Sequence, residues 1–82
     1  MKPTTRPEAR GHVEAALGAR FRKVRKTQKV TLLDLAQRLG CSVNTVRWHE
    51  AGARMMRVDD IVRAAEIIGV DAAELTRLDE TA

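Results

Sequence analysis

The stretch that most constrains this chain is residues 31–52, TLLDLAQRLGCSVNTVRWHEAG. It divides into two short helical patterns separated by a tight turn at Gly40 and Cys41. In the first, Leu32, Leu35, Ala36 and Leu39 recur at three- and four-residue spacing, which marks one face of an α-helix. Thr31 and Asp34 form a Thr-x-x-Asp capping box, each side chain serving a backbone N–H left open at the helix start. Gly40 supplies the left-handed backbone with which helices commonly end. Ser42 then caps a second helix, predicted over residues 43–50. Val46 is its one large aliphatic inward candidate, while Asn44, Arg47 and Trp48 gather on the far side. A helix that keeps Asn, Arg and Trp away from its core has a surface suited to contact.

The composition agrees with a small helical unit. Eighty-two residues suffice for one domain. Hydrophobic residues make up 44% but aromatics only 2%, so the core must be packed through Leu, Ile, Val and Ala. β-Branched residues never alternate over a long run, which argues against a sheet. The net charge of +4 is unevenly placed. Residues 1–30 carry nine Lys or Arg against Glu8 and Glu14, a local balance of +7. Residues 71–82 carry Arg77 against Asp71, Glu74, Asp79 and Glu80, a balance of −3. A basic front and an acidic end suit a protein with one polyanion-facing side.

Taken in order, residues 1–8 read as a flexible arm, either a plain disordered start, which is the preferred reading, or a basic arm in which Lys2 and Arg6 track a polyanion. A first helix is predicted from residue 8 or 9 to residue 26, with Val13, Ala16, Leu17, Phe21 and Val24 as its apolar stripe. Gly18 within it costs helix propensity and suits close approach to a neighbouring backbone. Residues 27–29 connect to the central motif, with Val30 packing down, and residues 51–57 form a loop after it. A fourth helix over residues 58–68 places Val58, Ile61, Val62, Ala65 and Ile68 on one face, with Asp59 and Asp60 at its positive N-terminus. Asp71 and Glu74 make a second capping box, opening a fifth helix with Leu75 and Leu78 inward. Residues 79–82 form an acidic tail.

Leu35-Ala36-x-x-Leu39-Gly40-x-Ser42-x-x-Thr45-Val46-x-x-x-Glu50-x-Gly52 resembles the helix-turn-helix of the lambda-repressor-like (XRE, Cro/cI) family of DNA-binding regulators. The match extends upstream through Leu17-Gly18-x-Arg20-Phe21-Arg22-x-Val24-Arg25 and downstream through Ile61-x-x-Ala64-x-x-Ile67-x-Gly69-Val70-x-x-x-x-Leu75. The resemblance implies an all-α, compact five-helix domain over residues 9–78, with residues 42–50 inserted in the DNA major groove. It also implies a structural ion pair between Arg25 and Glu50, tying the first helix to the recognition helix. The chain departs from the family at Leu32, where a phosphate-binding Gln is usual, and at Met56 and Arg57, where Pro and a capping Ser or Thr are usual. His49 stands where the family has a large apolar or aromatic residue.

Mapped onto that frame, the base-contacting candidates are Val43, Asn44, Arg47 and Trp48. Asn44 suits adenine N6 and N7, Arg47 suits guanine O6 and N7, and Val43 is placed to touch a thymine methyl. Trp48 faces outward against the DNA, or else the helix is rotated and the indole is core; the first reading is preferred. Ser42 and Thr45 are candidates for backbone contact, together with Lys23, Lys26, Lys29, Arg38 and Arg54. A unit this small reads only a few base pairs, so a homodimer on a palindromic operator is expected, its interface drawn from Met55, Met56, Leu75 and Leu78.

The function expected is sequence-specific transcriptional repression through double-stranded DNA, in a plasmid or phage setting such as that of repressors of the KorC kind. The alternative is an antitoxin-type interaction module with autoregulatory DNA binding, which would need an extension long enough to wrap a toxin. An enzyme is not expected, since no clustered carboxylates or nucleophile–base pair stand out. Cys41, expected as plain core, and the two histidines cannot assemble a zinc site, so neither metal nor cofactor is expected, and no small-molecule ligand. One cysteine, no apolar leader and no spanning run fit a cytoplasmic protein without membrane attachment.

Overall fold

The computed structural model describes residues 11–78. Five helices form there: α1 (His12–Thr27), α2 (Leu32–Leu39), α3 (Val43–Glu50), α4 (Val58–Ile68) and α5 (Ala72–Thr76), with no strand among the described residues. The expected arm (residues 1–8), the first residues of the expected domain and the acidic tail (residues 79–82) lie outside them.

Side-chain chemistry sets the ends of the central helices. Thr31 Oγ1 accepts from the Asp34 N–H at 3.0 Å and Ser42 Oγ accepts from the Thr45 N–H at 3.1 Å, so both helices start on a satisfied donor. Only half of the predicted box at Thr31 forms, because the Asp34 carboxylate turns to Arg38 one helical turn on, at 3.4 Å. The box predicted at Asp71 does not form either: its side chain makes no cap bond, and the Glu74 carboxylate is taken by Arg20 and Arg77. Gly40, at φ +78°, closes α2 by returning its N–H to the Ala36 carbonyl at 2.9 Å, and the turn into α3 needs only Gly40, Cys41 and the capping Ser42. Lys29, at φ +62°, makes the corresponding bend between α1 and α2 without a glycine.

The helices pack in a closed cycle: α1 on α3, α3 on α2, α2 on α4, α4 on α5, and α5 back on α1. Phe21, Val24, Leu35, Ala36, Leu39, Val46, Ala64, Ala65, Ile68 and Leu75 fill the centre. Leu35 and Val46 are wholly buried, one from each helix of the central motif.

Four residues expected to face inward are exposed. Val13 is 54% exposed, in the first turn of α1, beyond the elements that cover Phe21 and Val24. On α4 the buried stripe runs through Ile61, Ala64, Ala65 and Ile68, which leaves Val62 about 100° off it and Val58 exposed at the helix start. Leu78 is exposed because α5 ends at Thr76 and Arg77 is extended, so helical spacing no longer carries residue 78 to the side of Leu75.

Candidate nucleic-acid interface

Position on α3 decides which of its residues can meet another molecule. Val46 points straight into the core. Asn44, Arg47 and Trp48 stand at i, i+3 and i+4 and are all exposed, forming one outward stripe. Val43 lies three residues before Val46, on the same flank, and is half-buried against the core. Ser42 and Thr45 bring their hydroxyls together at 3.0 Å at the start of the helix, Ser42 exposed and Thr45 half-buried.

The orientation of α3 is fixed from behind. Arg25 Nε donates to Glu50 Oε2 at 2.6 Å, Nη2 to Oε1 at 3.2 Å, and Nη1 to the Val30 carbonyl at 2.7 Å. Both side chains are more than nine-tenths buried, so this two-pronged pair joins the last turn of α1 to the last turn of α3 out of water. Gly18 permits that approach: a Cβ there would meet the carbonyl oxygens of His49 and Glu50, the latter at 2.5 Å.

The exposed cations fall into two groups. Arg22 pairs with Glu50, Arg38 with Asp34, Arg57 with Asp59, Arg63 with Asp60, and Arg77 with Glu74. Lys23, Lys26, Lys29, Arg47 and Arg54 make no salt bridge to a carboxylate among the described residues. Arg38, a backbone-contact candidate, therefore spends part of its charge on its own helix. Arg47 lines an open recess with Arg22 and Leu32, and Arg22 lines the adjoining one with Lys23 and Lys26. Arg22 is absent from the candidates chosen from sequence, although it bridges the two recesses and lies 3.9 Å from Glu50. Its four-residue spacing from Lys26 was the signal available in the chain. Leu32, in place of the usual Gln, lines the recess below Arg47 as an apolar surface.

Trp48 is 37% exposed, so the helix is not rotated to bury it. The Arg54 guanidinium lies over its ring, 5.2 Å from the centroid. His49, half-buried, donates from Nδ1 to the Arg54 carbonyl at 2.7 Å. Cys41 is half-buried against the core in the turn before α3. Burial pushes its thiol above the ordinary range, Asp60 adds to this, and Arg63 opposes it.

Of the residues expected at a dimer contact, Met55, Met56 and Leu75 line one recess with Ile61 and Thr76, and Leu78 does not line it. Leu75 is 2% exposed and belongs to the core of the single chain. Met56 packs against that core from one side. Met55 and Leu78 are exposed, as are Val58 and Val62. No group of three or more His, Cys, Asp or Glu is arranged for a metal ion among the described residues. No helix of the described residues is long and apolar enough to cross a membrane.

Five helices in this cycle, with an outward polar stripe on the second member of a helix-turn-helix, define a DNA-binding domain of the lambda-repressor-like fold. Residues 16–78 match the family model described as a helix-turn-helix domain, and the chain belongs to that family of DNA-binding transcription regulators. The family implies double-stranded DNA as the partner. Among solved structures, the clp gene regulator ClgR from Corynebacterium glutamicum is similar, at 25% identity and TM-score 0.73, covering 79% of this chain and 69% of that one. The restriction-modification controller protein C.AhdI from Aeromonas hydrophila shares the fold at 24% identity and TM-score 0.69, covering 74% and 92% of the two chains. The hypothetical transcription factor NHTF from Neisseria does so at 21% identity and TM-score 0.73, covering 99% and 92%. No curated protein sequence matches the chain significantly.

Proposed function

We propose that this protein is a sequence-specific transcriptional repressor that binds an inverted-repeat operator as a homodimer. The observation that carries the reading is the stripe of Asn44, Arg47 and Trp48, bordered by Lys23, Lys26 and Arg54, none of them in a salt bridge among the described residues. An α-helix fits the major groove, where each base pair presents its own pattern of donors and acceptors. Asn44 and Arg47 carry the two side chains that suit bidentate readout of adenine and guanine. Ser42, Thr45 and the first amides of α3 stand where phosphate would approach. Lys23, Lys26, Lys29 and Arg54, joined by Arg22, supply charge along the flanking backbone.

Repression follows from occupancy, since a domain seated on promoter DNA excludes polymerase without further chemistry. The dimer reading is supported by exposed apolar side chains outside α3: Met55, Val58, Val62 and Leu78. Two recognition helices related by a two-fold axis would meet half-sites about 34–36 Å apart on one face of the duplex. Selection from a random duplex pool, followed by footprinting of the recovered sequence, tests both statements. A palindromic footprint with fixed half-site spacing is expected. Recovery of sequences with no common element would overturn sequence-specific binding.

A further inference from the structure

We propose that Trp48 is a positioning residue for Arg54: its indole face holds the guanidinium in the place from which it meets a DNA phosphate. The inference rests on the DNA-binding reading above and assigns the indole a different role from direct base contact. Arg54 follows α3 in the loop, and its main chain is fixed to that helix at two points. Its N–H donates to the Trp48 carbonyl at 3.3 Å, and its carbonyl accepts from His49 Nδ1 at 2.7 Å. The Ala53 N–H reaches the same Trp48 carbonyl at 2.9 Å. These bonds explain a polar side chain at residue 49: His49 staples the loop, which a plain apolar residue could not do.

With the main chain held, only the long side chain is left to order, and the ring supplies the surface for it at 5.2 Å. No salt bridge engages that guanidinium among the described residues, so its charge is available to an anion. Arg stacks on an aromatic face while its N–H edge stays open to phosphate oxygens. Ordering it before binding removes part of the entropy that association would otherwise cost. The ring face turned to Arg54 is thereby withdrawn from the bases, leaving Asn44 and Arg47 as the readers.

The test uses the full chain and a random-sequence DNA duplex, with binding measured over a salt series for the parent, Trp48→Ala, Arg54→Ala and the double variant. Arg54→Ala should lower the slope of log affinity against log salt by about one unit, as for loss of one phosphate contact. Trp48→Ala should lower the slope in the same direction although it removes no charge. The double variant should match Arg54→Ala, with a coupling of about two- to five-fold, the cation–π range at an exposed site expressed as a ratio. Trp48→Phe should restore most of the slope, and circular dichroism should show Trp48→Ala folded. Trp48 is the single tryptophan of the chain, so its emission should also shift in Arg54→Ala without DNA. A parental slope retained in Trp48→Ala, or additive losses in the double variant, overturns the positioning role. A parent that fails to bind any duplex at low salt overturns the functional reading, and this inference with it.

Discussion

Arg47 and Lys26 are both exposed and both lack a salt-bridge partner among the described residues, yet substituting them should have different consequences. Arg47→Ala should weaken binding to the selected operator by about 1–3 kcal/mol and relax preference at one base pair, since a bidentate base contact is worth that much. Lys26→Ala should weaken binding to all duplexes alike and flatten the salt dependence by about one unit. Anisotropy titrations against the operator and its single-base variants separate the two. If Arg47→Ala leaves base preference unchanged, Arg47 is a backbone contact. Sequence spacing was sufficient to place Asn44, Arg47 and Trp48 on one exposed stripe, because eight residues of regular helix leave little freedom. Spacing alone does not show that Val43, on the flank of Val46, is half-buried against the core.

At the scale of the element, α3 owes its aim to α1. Breaking a buried ion pair from one side leaves an uncompensated charge, at a cost of about 3–5 kcal/mol. Glu50→Ala should therefore lower unfolding stability by about that amount, read from urea melts; a midpoint equal to the parent's would make the pair dispensable. Gly18→Ala acts on the same contact by another route. Its methyl would be forced onto the carbonyls of His49 and Glu50, so α1 and α3 must separate, at a cost of about 1–3 kcal/mol. Gly18→Ala should also weaken operator binding by more than an equally destabilising core change far from α3. Equal losses of binding would show that the spacing of α1 and α3 does not set the recognition helix.

For the whole molecule, the closed cycle of helices decides which apolar residues are left for a partner. Leu75 closes the cycle between α5 and the core, so Leu75→Ala should cost about 2–5 kcal/mol in the monomer itself. Leu78→Asp, at a side chain 44% exposed, should leave the melting transition nearly unchanged while reducing dimer formation and full-operator affinity. Sedimentation checks this directly, and a parent that is monomeric at tens of micromolar on an asymmetric footprint removes the dimer. By itself the sequence determined the five helices and the tight turn between α2 and α3, because caps, glycines and i, i+3, i+4 spacing are local signals. Only the tertiary structure decided which part of each apolar face is covered. Val13, Val58 and Val62 follow helical spacing, yet they lie outside the area that neighbouring helices reach, and Leu78 lies beyond the end of α5. The loop after α3 was legible for the same reason only in part. Proximity of Arg54 to Trp48 and His49 depends on a chain reversal that no periodicity encodes, and it is that reversal which brings the guanidinium onto the indole.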